Sequence, residues 1–147
     1  MAALLSRLAR CRRGVTAVEF ALTLPFMMVM LVGLAEFGLA VNEKMRLESA
    51  AWAGVQYGYS HTTDTAGMVS AVQQGAGLDP SKITVATAFS WGCADGSTVA
   101  QDATCGDGSQ KRSYVTVTVT ETWRLTFQFP GFPTSLPLTA AATLRFN

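Results

Sequence analysis

Residues 12–41 read RRGVTAVEFALTLPFMMVMLVGLAEFGLAV, and this stretch decides how the other parts of the 147-residue chain are read. Phe20 to Ala35 is uncharged, and Phe37 to Val41 extends the apolar run past Glu36. As helix, Val15 to Glu36 covers about 32 Å at 1.5 Å per residue, close to the roughly 30 Å hydrocarbon core of a bilayer. The expected organisation is a basic leader over 1–14, one transmembrane helix over 15–41 and a single further domain over 42–147.

Formal net charge is +1, which offers nothing for nucleic acid or an acidic partner to recognise. Its distribution says more. Arg7, Arg10, Arg12 and Arg13 crowd the amino end, and no acidic residue precedes Glu19. Positive charge before a span predicts a cytoplasmic amino terminus, with everything beyond the span on the far side. A cleaved signal peptide is the rival reading, with Gly38-Leu39-Ala40 as its small residues. Against it stand the length of the apolar run, Pro25 inside it and an acid at each end. Cys11 precedes the run, which reverses the order a lipoprotein needs.

Of the three cysteines, Cys93 and Cys105 fall in the exported part, where disulfides form and persist. Their spacing suits no zinc motif. One disulfide closing a short loop is expected, worth about 3 kcal/mol if unstrained.

Beyond Asn42–Arg46, where the chain leaves the apolar stretch, nothing stops the helix before Tyr59. Met45, Trp52, Val55 and Tyr59 recur at helical intervals, and the opposite side is small: Ala50, Ala51, Ala53, Gly54 and Gly58. The two glycines allow close approach, first to the domain's own sheet and as the second reading to a neighbouring subunit. Ser60–Asp64 reads as a turn, with Thr63 or Asp64 capping a short helix over Ala66–Gln74 that turns Met68, Val69 and Val72 inward. Gly75, Gly77, Asp79 and Pro80 end it.

The period then changes to two. Ile83, Val85, Thr87 and Phe89 share one face of a first strand, and Ser90–Gln110 is a loop rich in Gly, Asp and Ser. Tyr114–Gln128 alternates most strictly, with Val115, Val117, Val119, Glu121, Trp123, Leu125 and Phe127 on one face and mostly threonine on the other. Glu121 interrupts the apolar face, which predicts a bulge or the sheet's edge there. After a turn at Pro130–Pro133, Leu136 to Phe146 alternates again as a last strand. The fold class is α+β: a long amino-terminal transmembrane helix continuing into a small antiparallel sheet domain with one short extra helix. No internal repeat is apparent.

The basic leader, Gly14, Glu19 five residues past it, Phe20 and the membrane-length run resemble a type IV pilin-like precursor. The closest resemblance is to the TadE-like pseudopilins of the tight-adherence (Flp, type IVb/c) pilus system. The alanine-rich exit helix and the Val/Thr strand extend the likeness over most of the chain, although only the RRG-x4-EF motif is specific. Major Flp pilins are much shorter and have almost nothing after the helix, so the domain here moves the likeness toward minor pseudopilins.

The resemblance implies a pilin-like α+β architecture in the bacterial inner membrane, with the carboxyl-terminal domain periplasmic or, within a pilus, extracellular. It implies that a prepilin peptidase cuts Gly14–Val15, the preceding arginines holding the leader at the anionic membrane surface. Glycine suits that position because its backbone can lie extended in a tight cleft. Val15 then becomes the amino terminus, one helical turn from Glu19, which can pair with that amine within the subunit or in a neighbour. A carboxylate there also gains from the positive end of the helix dipole, and at the interface avoids most of the roughly 2.5–3.5 kcal/mol charged by the bilayer centre. Implied partners are prepilin peptidase, other pilin-like subunits, the inner-membrane assembly platform and lipid. The implied role is assembly or initiation of a Flp pilus, hence adhesion and biofilm formation.

Catalysis is not expected. His61 is the sole histidine and sits in a turn without a nucleophile or acid pair. Asp95, Asp102 and Asp107 lack the alternation of a calcium loop, and no glycine-rich phosphate cradle occurs. No cofactor or metal is expected. Pro25 is expected to bend the span, and Glu36 to sit hydrated at its outer end. The alternative from another class is a permanently anchored periplasmic binding or adhesin module, never processed, whose ligand surface would use Trp91, Trp123 and Phe132.

Overall fold

The computed structural model describes residues 13–77, 79–128, 131 and 133–146. Arg7, Arg10, Cys11 and Arg12 of the expected leader, and Phe132, lie outside the described residues. The elements in order are α1 (Arg13–Ser60), α2 (Thr65–Ala76), β1 (Ile83–Gly92), β2 (Thr98–Val99), β3 (Arg112–Arg124) and β4 (Ser135–Phe146). The architecture is α+β, with a long apolar helix, a short second helix and a four-stranded antiparallel sheet. Two compact units divide the chain, Met1–Leu39 and Ala40–Asn147, and α1 contributes residues to both.

In the first unit, α1 turns apolar side chains outward all round, among them Val18, Phe20, Leu22, Phe26, Met30 and Leu34. A helix apolar on every side needs an apolar solvent. Pro25 sits inside α1 without ending it. The Thr23 hydroxyl donates to the carbonyls of Glu19 and Phe20, the kind of side-chain satisfaction that helps an apolar helix carry a polar residue. Glu36 departs from expectation: it is buried, only 6% exposed, instead of hydrated.

In the second unit the sheet order is β2-β1-β3-β4. β1 pairs with β3 without interruption from Ile83↔Glu121 to Gly92↔Arg112, and β3 with β4 from Ser113↔Phe146 to Arg124↔Ser135. The alternation of β3 is realised as sides: Val115, Val117 and Val119 are fully buried, and the intervening threonines are partly exposed. Glu121 marks neither a bulge nor an edge. It lies in the central strand, in unbroken register with Ile83 on one side and Leu138 on the other. β3 also ends at Arg124, four residues earlier than the alternation suggests. Pro137 is tolerated because β4 is an edge strand.

The side of α1 that packs on this sheet is the small one. Leu47, Ala50, Ala51, Gly54, Val55 and Gly58 are buried, whereas Met45, Trp52 and Tyr59 are exposed. A Cβ on Gly54 would stand 2.6 Å from Val72 Cγ2 and 3.1 Å from Val117 Cγ1, so the helix lies as close to sheet and α2 as backbone permits. Gly58 meets the Met68 thioether in the same way, with 2.9 Å to its Cε.

α2 starts where a cap is available. The Asp64 carboxylate accepts from the Gly67 amide at 2.8 Å and from the Tyr57 hydroxyl at 2.8 Å, which holds the Asp64 pKa below its ordinary value. Gly77 closes the helix in the left-handed conformation, φ 56°.

Candidate functional site

Gly14 and Val15 lie in the first turn of α1, and Glu19 and Phe20 stand exposed one turn further along. Val15 and Glu19 are i,i+4 neighbours on one helix, which places their side chains on a shared side. The first turn holds no acidic residue, so Glu19 is the first carboxylate the helix offers to the positive charge at its amino end. Gly14 is already helical, so a protease that needs extended backbone must unwind one turn, whose amides lack intrahelical acceptors in any case. Among the described residues, one helix, Val15–Ser60, is long and apolar enough to cross a membrane.

Cys93 and Cys105 form the expected disulfide, with Cα atoms 5.7 Å apart. Around it the loop has an order not read from the sequence. Cys93-Ala94-Asp95-Gly96-Ser97 and Cys105-Gly106-Asp107-Gly108-Ser109 repeat one pattern, and each folds alike. Gly96 and Gly108 donate back to the carbonyls of Cys93 and Cys105 at 3.2 and 3.1 Å, with φ of 86° and 70°. Asp95 and Asp107 accept from the amides of Ser97 and Ser109 at 2.9 Å each. Hydrogen bonds from the Ser97 and Ser109 side chains, and then those from their amides, lower the two aspartate pKa values and employ the carboxylates in their own turns. β2 is the other feature missed here, a two-residue strand pairing with Trp91 and Gly92.

His61 stacks on Tyr57 with ring centroids 4.5 Å apart and meets Ser60 Oγ through Nδ1 at 3.1 Å. Of the aromatic surface considered for a binding module, Trp91 and Trp123 are not brought together. Trp91 pairs opposite Ser113, and Trp123 lies ten residues further along β3, about 33 Å away at 3.3 Å per residue.

The cluster that sequence reasoning did not foresee is Glu43, Arg46 and Glu121. Glu43 on α1 faces Glu121 on β3 and bonds Arg46 at 2.9 Å. Glu121 is 7% exposed, and its Oε2 finds no hydrogen-bond partner among the described residues. Burial, reinforced by the charge of Glu43 and a hydrogen bond to it, pushes the Glu121 pKa up; Lys82 and Arg46 oppose this more weakly. The raised pKa favours the neutral form of Glu121 beside Glu43, which Arg46 already pairs. Beside it lies an open groove of about 690 Å³ lined by Ser81, Lys82, Glu121, Thr122, Trp123 and Arg124.

Residues 14–56 match the family model of the TadE-like proteins. Over that segment the chain is similar to the TadE-like proteins. The match runs from Gly14 through Glu19, the apolar run and the small-residue side of α1 as far as Gln56, less than a third of the chain. The TadE-like family implies a role associated with the Tad pilus. No curated protein and no solved structure gives a significant match.

Proposed function

We propose that this chain is a minor pseudopilin that takes part in assembly or initiation of a Flp/Tad-type pilus, working by association and not by catalysis. The observation that carries the reading is the TadE-like match beginning at Gly14, on the bond that a prepilin peptidase would cut. Cleavage leaves the Val15 amine at the head of an apolar helix with Glu19 on the same side. A neighbouring pilin-like subunit can then bring its own amine to Glu19, so that two charges costly in lipid neutralise each other. Prepilin peptidase and the inner-membrane assembly platform are the partners this requires. The leader stays cytoplasmic, the residues after Val41 lie in the periplasm or on a filament, and adhesion and biofilm formation follow from the filament.

The test is intact mass and amino-terminal sequencing of the protein from native membranes, beside a Gly14→Ala variant. A terminus at Val15, abolished by the substitution, is the expected result. A chain that retains its leader in both would overturn the reading and leave a permanent anchor.

A further inference from the structure

At the other end of the β1–β3 ladder from Glu121, the sheet holds an aromatic cleft. Trp91 on β1 and Phe146 on β4 both stand opposite Ser113 of β3, so one row across the sheet reads aromatic, small, aromatic. With strands about 4.8 Å apart, the two large residues start about 10 Å from each other on one face of the sheet. Phe89, two residues back along β1 and opposite Val115, adds a third ring, edge-on to Phe146 with centroids 6.1 Å apart. Val115 on that face is fully buried, whereas Ser113 and the three aromatics are only partly so. The core has ended there. Its remaining aromatic surface opens into a groove of about 350 Å³, lined by Phe89, Trp91 and Phe146 together with Thr62, Thr63 and Gln101.

The polar half of this lining is held in place by its own elements. Thr62 and Thr63 occupy the α1–α2 turn, closed by the Asp64 amide donating to the His61 carbonyl at 3.1 Å and by the Tyr57 hydroxyl donating to the Asp64 carboxylate. Gln101 lies in the loop that Cys93–Cys105 closes, and Lys111 Nζ donates to its carbonyl. Trp91 precedes the same disulfide by two residues and pairs with Val99. The Thr62 and Thr63 hydroxyls and the Gln101 side-chain amide enter no hydrogen bond with the described residues, so their donors and acceptors remain for a ligand.

Three rings and three neutral hydrogen-bonding side chains narrow the choice of ligand. A charged group would find no counter-charge in the lining. A wholly apolar one would strip water from an amide and two hydroxyls without replacing the lost hydrogen bonds. A pyranose ring avoids both penalties: its axial C–H bonds form an apolar face that stacks on an aromatic ring, and its hydroxyl rim both donates and accepts. The volume falls at the small end of ligand pockets, which run from roughly 300 to 1,000 Å³.

We propose that this cleft is a binding site for a neutral sugar, with Trp91 as the stacking platform and Thr62, Thr63 and Gln101 as partners for the ring hydroxyls. The proposal rests neither on cleavage at Gly14 nor on entry into a filament.

Full-length chain in lipid nanodiscs is titrated calorimetrically with the methyl glycosides of glucose, galactose, mannose and N-acetylglucosamine, and with cellobiose, lactose and chitobiose. The expected result is saturable one-to-one binding of at least one of these, in the millimolar range or tighter. Gln101→Ala, on an exposed loop, should weaken that binding about five-fold and Trp91→Ala about ten-fold, whereas Trp52→Ala should leave it unchanged. Should Trp91→Ala fail to fold by circular dichroism, Thr63→Ala and Gln101→Ala decide the matter on exposed positions. Absence of saturable binding for every sugar overturns the proposal. Binding indifferent to Gln101→Ala, Thr63→Ala and Trp91→Ala overturns it too, because the sugar then sits elsewhere. A proline-rich peptide that binds where no sugar does would overturn it and make the groove a peptide site.

Discussion

Glu121, in an inner strand of the sheet, faces Glu43 of α1, and the two acids share a site that Arg46 and Lys82 temper. The folded chain raises the Glu121 pKa above its unfolded value, so protonation favours folding. That contribution is complete below the unfolded value and is lost as pH rises through the folded one. Glu121→Gln keeps a donor toward Glu43 and removes the titration. Denaturant melts should show the variant more stable than the parent by about 1 kcal/mol above the folded pKa, the gap closing on acidification. A gap that is constant with pH would refute the assignment.

Gly54 should tolerate no side chain. Alanine improves helix propensity by about 1 kcal/mol, but its Cβ would meet Val72 at 2.6 Å, and overpacking costs about 1–3 kcal/mol. Gly54→Val, branched as well as larger, should lower the melting midpoint of the second unit clearly. Gly38→Ala, with nothing within 4 Å, should leave that midpoint unchanged.

The disulfide closes a loop of 12-residue separation, and the double variant Cys93→Ser/Cys105→Ser should lose about 3 kcal/mol. Calorimetry under oxidising and reducing conditions checks this. The parent should fall to the variant's midpoint on reduction, and the variant should not respond.

For Glu19 the expected phenotype is selective. Glu19→Ala should still insert in membranes and still be cut after Gly14, because neither step uses its charge, yet lose co-purification with pilin-like partners. Retained co-purification would remove Glu19 from the assembly role.

What the sequence displayed well was periodicity. Val115 to Val119 announced a half-buried strand, and that strand proved to be the centre of the sheet; the apolar run from Val15 likewise specified one long helix. What it hid were relationships across long separations. Glu121 looked like a break in a pattern because its partner, Glu43, belongs to a helix far away in the chain. The exposed Trp52 and Tyr59 show a second limit, since large apolar residues draw the eye while helix-on-sheet contact is governed by what lacks a Cβ. The end of β3 was overrun because Leu125 and Phe127 continue the alternation after pairing has stopped at Arg124. Gly14 and Glu19 form a local motif in the sequence; the Glu43 cluster and the twin turns of the disulfide loop exist only in the folded chain.

Each of those turns bends by its own Asp, Gly and Ser, and the two are tied by the S–S bond and by the Ala94 amide donating to Ser109 Oγ at 3.2 Å. β2 lies between them, but the register of β1, β3 and β4 is insulated from residues 100–104. Residues 100–104 form a natural splice point, where an epitope tag or a longer natural insertion can be carried at the domain's rim without a single strand changing register.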